Sequence, residues 1–325
     1  MERAQTDRRG SLLLGVDGGN SKTIALVARA DGTIVGAGRG GRSDIYETED
    51  AFQAIADASH AALAQAGAQA ENVRRAVYSV AGADWPADYE LYRRELSRLI
   101  GAPGTVLNDS LGAIRAGTPD GIGVSVVCGT GVAIGARSAP DRHWHVSFWA
   151  SPNHRYDPVR ATLEAVGRAE LGLSPPSLLQ QLAPAATGCD SVLELVRRAS
   201  GHGELRPPLT RLPGALLDAV AAGDAVAIDV LDRVATAMSE FAIVAAREAG
   251  LPRPSPLVLA GGVFRHSCPA LADAIAAGVP GAEIVRATRE PAVGALLLAF
   301  DEAGLQPDLQ RLEASYPAAE LFATH

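Results

Sequence analysis

Lysine is nearly absent from this chain of 325 residues, because Lys22 is the single lysine among 29 basic residues. We attribute the excess of arginine to codon bias in a GC-rich genome. The formal net charge is −8 and no basic stripe stands out, which argues against a nucleic-acid partner. A content of 47% hydrophobic and 20% charged residues excludes a disordered chain. At roughly 150 residues per domain, the length predicts about two domains.

Cysteine is also scarce, and Cys128, Cys189 and Cys268 are widely spaced. This pattern excludes a disulfide framework and a paired-cysteine zinc site, and it fits a reducing compartment. No run of 18 apolar residues occurs, so no membrane span is predicted. The apolar run at 12–16 is too short for the core of a signal peptide. We therefore expect a cytoplasmic protein with no membrane partner.

Glycine, by contrast, is abundant, with 34 residues in the chain. Average usage would give about 23. Since no collagen-like period is present, the excess predicts tight turns or backbone that lies close to a ligand.

The order of predicted elements indicates an α/β protein. In the first half, hairpin chemistry predicts a three-stranded antiparallel meander, followed by alternating helices and strands. The predicted strands cover 12–17, 23–29, 34–38, 73–80 and 105–107, and the predicted helices cover 49–66, 86–100 and 110–116. This order predicts a mixed sheet covered by helices.

The second half begins with the same pattern of a strand, a glycine turn and a strand. Its predicted strands cover 123–128, 132–137, 144–149, 256–260 and 283–285, and its helices cover 158–171, 189–199, 224–249, 267–277 and 291–303. The segment 201–214 is predicted to be a surface loop. Because the pattern at 12–29 recurs at 123–137, we expect two related domains that face each other.

The first segment with chemical significance runs from Asp17 to Thr23 and reads Asp-Gly-Gly-Asn-Ser-Lys-Thr. Its glycines let backbone N–H groups approach phosphate oxygens, and Ser21 and Thr23 can add hydroxyl donors. Asp17, at the end of a predicted strand, can hold a hydrated magnesium ion. The segment is not a P-loop. The alternative is a hairpin turn that simply needs glycine.

Asp109 stands where a buried strand ends and a helix begins. Carboxylates at such positions lie at a sheet edge where active sites form, so Asp109 can act as a general base toward an attacking hydroxyl. The alternative is that Asp109 caps the helix, for which aspartate is a preferred residue.

Two further glycine turns follow apolar strands. Gly129-Thr130-Gly131 follows a valine-rich strand and can hold the other end of a triphosphate, whereas Gly261-Gly262 leaves room for a flat ring against the backbone. The alternatives are a plain hairpin for the first turn and close helix–strand packing for the second.

Taken in this order, the segments resemble the sugar kinase and actin-like ATPase superfamily. The closest resemblance is to the N-acetylglucosamine kinase family, which is grouped with the benzoyl-CoA reductase activator ATPases. It runs from about residue 12 to 305 and is carried by VDGGNSKT, SVAGADWP, VLNDSLGAIRAG, VVCGTG, LAGGVFRH and EPAVGALLLA.

The resemblance implies two ribonuclease-H-like domains that hold ATP in the cleft between them. The N-terminal domain is expected to comprise 12–116 plus a C-terminal segment of about 300–325. The C-terminal domain is expected to comprise 117–299, with helical insertions. Relatives of this family are often dimers, so a homodimer is an expectation by analogy.

The resemblance also implies a function and its residues. The implied activity is ATP-dependent phosphorylation of a hydroxyl on an amino sugar or related hexose, with Asp109 as the catalytic base and Mg²⁺ held by Asp17 through water. The implied ATP and phosphate residues are Asp17, Gly18, Gly19, Asn20, Ser21, Lys22, Thr23, Gly129, Thr130, Gly131, Gly261 and Gly262. The implied substrate residues are Ser43, Asp44, Gly82, Asn108, Asp109 and Trp149.

The chain departs from the family in one segment. The family carries a Gly-Trp-Gly run and then Gly-Asp-Glu-Gly-Ser after the second phosphate turn, but residues 143–154 contain no acidic pair. Asp44 also stands where the family usually has asparagine, and a carboxylate there can pair with a free amine. His143, His145 and His154 lack the regular spacing of a metal site. The sequence therefore supports nucleotide binding better than it identifies the acceptor.

Two other functions remain open. One is a nucleotide- or sugar-sensing protein that has lost catalysis, which the missing acidic segment suggests. The other is an ATPase that activates a partner enzyme, as the reductase activators do with an iron–sulfur cluster held between subunits by cysteines of each chain. Cys128 lies near the relevant turn, but no convincing second ligand follows it.

Overall fold

The computed structural model describes residues 11–150, 156–201, 208–253 and 255–323. These residues form two five-stranded mixed sheets. The first sheet contains β1 (Leu12–Gly18), β2 (Thr23–Arg29), β3 (Ile34–Gly40), β4 (Val73–Val80) and β5 (Gly104–Asn108), in the order β3-β2-β1-β4-β5. The second contains β6 (Gly123–Cys128), β7 (Val132–Ala139), β8 (Arg142–His145), β9 (Pro256–Ala260) and β10 (Glu283–Arg286), in the order β10-β9-β6-β7-β8.

The two sheets repeat one topology. In each sheet the first three strands form an antiparallel meander, and the last two strands lie parallel to the first. This arrangement confirms the predicted α/β class and the predicted internal repeat.

Helices cover both sheets. They are α1 (Ala51–Gln65), α2 (Pro86–Leu99), α3 (Asp109–Gly117), α4 (Ser147–Ala150), α5 (Pro158–Glu170), α6 (Leu179–Thr187), α7 (Val192–Ala199), α8 (Leu212–Ala221), α9 (Ala225–Glu248), α10 (Ala270–Gly278), α11 (Pro291–Glu302) and α12 (Leu309–Ala314). Helices α5 to α8, with the start of α9, enclose a separate apolar cluster that includes Val166, Leu195 and Leu216. None of the described helices combines the length and the apolar composition needed to cross a bilayer.

Several elements differ from the sequence predictions, among them α12, which was not predicted. The predicted strand 144–149 is wrong, because β8 ends at His145 and the chain turns into α4 when Trp149 N–H donates to the Val146 carbonyl at 2.8 Å. Helix α6 was not predicted and contains Pro184, which usually breaks a helix. Helix α8 begins inside the predicted loop 201–214, where Pro213 is compatible with a first helical turn. Residues 202–207 of that loop lie outside the described residues.

Helix α11 packs against the first sheet. Its Leu296 and Phe300 share an apolar cluster with Leu13 and Ile24, and a Cβ at Gly15 would overlap the backbone of Leu296. We therefore propose that the chain returns to the N-terminal domain at Pro291, earlier than the predicted boundary near residue 300.

The parallel strands align their carboxyl ends. Gly18 at the end of β1 pairs with Val80, and Val80 pairs with Asn108 at the end of β5. In the second sheet, Val127 near the end of β6 pairs with Ala260 at the end of β9. Because ligands bind beyond the carboxyl ends of parallel strands, this register brings the predicted motifs to two sheet edges.

Candidate functional site

A cavity of about 430 Å³ lies where the turns after β1, β6 and β9 meet the start of α3. It is lined by Asp17, Gly19, Asn20, Ser21, Lys22, Asp109, Gly129, Thr130, Gly131, Gly261 and Gly262, among others. The structure therefore brings together residues from each of the predicted phosphate and adenosine turns and the predicted base.

Two predicted nucleotide residues do not line this cavity. Gly18 and Thr23 pair across the β1–β2 hairpin. Thr23 is fully buried, and its hydroxyl donates to the Gly41 carbonyl at 2.8 Å. A Cβ at Gly18 would overlap the Ser43 hydroxyl. Both residues support the turn rather than face the cavity.

The three glycine turns contact one another. The hydroxyls of Ser21 and Thr130 form a hydrogen bond that joins the turn after β1 to the turn after β6. Gly261 has a φ of +98°, and a Cβ there would overlap the Cys128 carbonyl, so only glycine fits between the second and third turns. By contrast, a Cβ at Gly129 or Gly262 would have no neighbour within 4 Å, which leaves that backbone open toward a ligand.

Asp109 is the first residue of α3, and the cap of that helix is Asn108. The Asn108 Oδ1 atom accepts hydrogen bonds from Ser110 N at 3.1 Å and from Ser110 Oγ at 2.7 Å. The alternative role of Asp109 as the helix cap is therefore wrong, and its carboxylate lines the cavity instead.

Two carboxyl groups of the cavity, those of Asp17 and Asp109, have strongly raised pKa values. Burial, followed by the charges of Asp17 and Asp84, raises the pKa of Asp109 to about 8. Burial and the Glu290 charge raise the pKa of Asp17 to about 7, although Lys22 opposes the rise. Shifts of this kind cluster at functional sites, because a general base works best when its pKa lies near the working pH.

The raised pKa of Asp109 predicts a measurable dependence of stability on pH. Between the ordinary carboxyl pKa of 3.8 and about 8, the ligand-free folded state holds a proton that the unfolded state has lost. Rising pH therefore destabilises the folded state through this group. We expect the Tm of Asp109→Asn to equal that of wild type at pH of about 4. Toward pH of about 8, the Tm of the variant should rise increasingly above that of wild type. Thermal melting across this range measures it, and a constant difference would contradict the assignment.

One wall of the cavity comes from the end of the described chain. Phe322 and Ala323 line it, the Lys22 ammonium donates to the Phe322 carbonyl, and Arg39 donates to the carbonyls of Leu321 and Ala323, each at 2.8 Å. Sequence reasoning missed this wall, because the segment carries no motif. The structure thus gives the single lysine a partner within the chain.

An ion pair also lines the cavity and was not predicted. Arg265, after the third glycine turn, contacts Glu290 with an N–O distance of 2.7 Å. Glu290 directly precedes Pro291 at the start of α11. A carboxylate directly before a proline that starts a helix is the local sequence pattern from which Glu290 could have been predicted.

Apart from Trp149, which lies in α4, the predicted substrate residues lie at the ends of strands of the first sheet or directly after them. Gly82 has a φ of +77°, and a Cβ there would lie 2.7 Å from Asp44 Oδ1, so their turns touch. Asn108 Nδ2 lies 3.2 Å from Oδ1 of Asp84, which was not predicted as a site residue. Burial raises the pKa of Asp44 and raises that of Asp84 to about 6. These side chains form an acidic group beside Asp109.

Ser43 and Trp149 differ in their exposure. Ser43 is fully buried and its hydroxyl has no hydrogen-bond partner among the described residues, so it lies beneath the first glycine turn rather than at the surface. Trp149 is 63% exposed, so it is not part of the core. His154 lies outside the described residues.

The two repeated sheets with glycine turns at their facing edges define the fold of the actin-like ATPases and sugar kinases. Residues 14–146 match the sequence profile of the BadF/BadG/BcrA/BcrD ATPase family, and this match confirms the resemblance. No curated protein matches the chain.

Solved structures support the same fold. A provisionally named N-acetylglucosamine kinase from Chromobacterium violaceum is 22% identical with a TM-score of 0.68, covering 89% of this chain and 99% of its own. A protein of the same provisional name from Porphyromonas gingivalis is 15% identical with a TM-score of 0.65, covering 90% and 99%. A ROK family glucokinase from Streptomyces griseus, solved with glucose and AMPPNP, is 19% identical with a TM-score of 0.52, covering 89% and 99%.

Proposed function

We propose that this protein is an ATP-dependent kinase that phosphorylates a hydroxyl of an amino sugar or related hexose, of the N-acetylglucosamine or glucosamine class. The observation that carries the proposal is the position of Asp109. Its carboxylate lines the cavity formed by the three glycine turns, and it follows Asn108, whose amide contacts Asp84 on the acceptor side. The family profile and the fold of the sugar kinase structures support this function.

The glycine turns fit the phosphates of ATP. Open backbone at Gly129 and Gly262 and the hydroxyls of Ser21 and Thr130 supply uncharged donors, as anion-binding turns do. The buried Asn20 Oδ1 atom has no hydrogen-bond partner within the described chain, which fits a ligand or its water shell at this turn. Gly262, beside which no atom lies within 4 Å of a Cβ position, leaves room for a flat ring against the backbone.

The carboxylates of the cavity fit a magnesium ion that arrives with ATP. Asp17 and Glu290 are the candidates, and their mutual repulsion is what such a cation would relieve. The described residues contain no group of three or more metal-ligating side chains, so the ion would be held mainly through water and phosphate. The chemistry that Mg²⁺ supplies when bound is neutralisation of charge on the β- and γ-phosphate oxygens.

Asp109 then acts as the base toward the acceptor hydroxyl. In the ligand-free protein its pKa of about 8 leaves it largely protonated at neutral pH, and a magnesium ion held nearby would lower that pKa and favour the ionised form that acts as the base. Its place in the first turn of α3 holds it beside both ligands. The two domains wall the cleft on opposite sides, which excludes water and limits wasteful hydrolysis of ATP.

The alternative of a partner-activating ATPase has less support. A bridging iron–sulfur cluster needs a cysteine at the protein surface, but Cys128 is fully buried and burial raises the pKa of its thiol. A sensing protein that has lost catalysis needs no base, so the cavity position of Asp109 favours the kinase.

We expect some hexose or amino sugar to stimulate ATP turnover several-fold over the rate without sugar. A panel that includes glucose, glucosamine and N-acetylglucosamine, measured by ADP release with Mg²⁺ present, tests this. The matched control is Asp109→Asn, in which no sugar should stimulate turnover. If the wild-type protein binds ATP and no sugar stimulates turnover, the sensing function replaces the kinase.

A further inference from the structure

The second sheet reaches across the cleft and contacts α2 of the first domain. Nε2 of His145, at the end of β8, lies 2.9 Å from the hydroxyl of Tyr89 on α2. Nδ1 of the same ring lies 2.9 Å from Oγ of Ser147, the first residue of α4. One neutral side chain thus connects the two domains at the segment where the chain departs from its family.

The chain of hydrogen bonds continues to the acceptor side. Ser147 Oγ lies 3.2 Å from Asn108 Nδ2, and the Ser147 side chain also hydrogen-bonds Asp84. Asn108 Nδ2 donates to Asp84 Oδ1 at 3.2 Å. Tyr89, His145, Ser147 and Asn108 therefore form a continuous path to Asp84, and Asn108 is the direct neighbour of Asp109.

The protonation states determine which atom is the donor and which is the acceptor in each hydrogen bond of this path. Burial lowers the pKa of His145 to about 4, so the ring is neutral and has one donor and one acceptor nitrogen. Burial raises the pKa of Tyr89, which keeps its hydroxyl protonated, and the Asn108 backbone contacts the same oxygen. Tyr89 then donates to Nε2, Nδ1–H donates to Ser147 Oγ, and the Ser147 hydroxyl donates to the Asp84 carboxylate; this tautomer follows from the network.

We propose that Asp84 is an acceptor-binding carboxylate and that Tyr89, His145 and Ser147 are positioning residues that orient it. This assignment rests on the proposed kinase function. It implies that residues of both domains form the acceptor site. The segment 143–147 would then do, with neutral side chains, part of the work that the family's acidic segment does elsewhere.

This assignment also specifies the acceptor chemically. Asp84 is half-buried, its Oδ1 lies 3.2 Å from Nδ2 of Asn108, the residue next to Asp109, and its charge contributes to the raised pKa of Asp109, so the two carboxylates are near each other. An acceptor that fits both presents two hydrogen-bond donors, the attacking hydroxyl toward Asp109 and a second hydroxyl or ammonium toward Asp84. A vicinal diol or amino alcohol of a sugar has this arrangement, and an analogue without the second donor leaves Asp84 unpaired.

The Ser147→Ala variant tests the positioning role. Loss of a hydrogen bond to a charged group is expected to raise the KM of the acceptor about 10-fold, with the KM of ATP unchanged. Ser147→Thr keeps the hydroxyl and is expected to restore the acceptor KM. Ser138→Ala is the matched control, because that hydroxyl donates to the Ala249 carbonyl and to none of the acceptor residues.

Tyr89→Phe provides a second variant at the other end of the path, and we expect a smaller rise in acceptor KM in the same direction. If wild type turns over its sugar while Ser147→Ala and Tyr89→Phe both leave the acceptor KM unchanged, the inference is overturned and the kinase function stands. If Ser147→Thr is as impaired as Ser147→Ala, the role is one of packing and the inference is also overturned. If wild type neither binds nor phosphorylates any sugar, both the function and the inference are wrong.

Discussion

Replacement of Asp109 by asparagine is expected to lower kcat by at least about 100-fold, because general base catalysis contributes roughly 10²–10⁴-fold. Asparagine keeps the size of the side chain and removes its ability to accept a proton. The helix cap belongs to Asn108, so the start of α3 should remain intact. In the proposed function the glycine turns make the phosphate contacts, so nucleotide affinity should change little. Steady-state kinetics and calorimetric titration with a non-hydrolysable ATP analogue measure the two effects separately.

A matched control is Asp57→Asn, which makes the same chemical change at an exposed position of α1. We expect the kcat of Asp57→Asn to equal that of the wild-type protein. Unchanged turnover in Asp109→Asn would refute the assignment of the base. Loss of nucleotide binding would instead indicate that Asp109 serves the metal or the phosphates.

The second large effect is expected from Gly294→Ala in α11. This helix crosses α3 so closely that a Cβ at Gly294 would overlap the Gly112 carbonyl oxygen and lie 2.8 Å from Ala116 N. The alanine must push two helices apart, which costs about 3 kcal/mol of the free energy of unfolding. In a helix without such a contact, the same change stabilises by up to about 1 kcal/mol, so the sign of the effect is diagnostic. Urea unfolding gives this free energy directly.

Gly167→Ala in α5 is the control for that comparison, because a Cβ there would have no neighbour within 4 Å. It is expected to be neutral or mildly stabilising. A Gly294→Ala protein that is as stable as wild type would contradict the close crossing of α11 and α3. The proposal that residues 291–323 belong with the N-terminal domain would then lose its main support.

Local chemistry made part of the site predictable. Residues 17–21 and 129–131 combine glycine with small polar residues at the ends of apolar strands, and that pattern is visible without any knowledge of packing. Asp109 was predictable for a similar reason. A carboxylate between a strand and a helix either faces the edge of the sheet or caps the helix, so few roles had to be considered. Its competing role as a cap could be rejected only when Asn108 was seen to accept the capping hydrogen bond.

Other parts of the site had no such signal. Lys22 and Phe322 are 300 positions apart, and Asn108 and Ser147 are 39 positions apart, so no local pattern relates them. Arg265 and Glu290 are ordinary charged residues until the third glycine turn and the start of α11 meet in one cavity.

The sequence by itself determined the α/β class, the repeated order of strands and the turns that can face phosphate, because these depend on periodicity and on the backbone freedom of a few residues. The tertiary structure decided that α11 packs against the first sheet, which carboxyl groups lie near one another and that His145 contacts Tyr89 of α2. These features depend on the close approach of segments that are distant in the sequence. The absence of a Cβ at Gly15 and Gly294 allows α11 to pack closely, and burial of Asp84 and Asp109 raises the pKa values of their carboxyl groups. The excess of glycine is explained at both levels, since some glycines shape the turns and others let helices touch strands and one another.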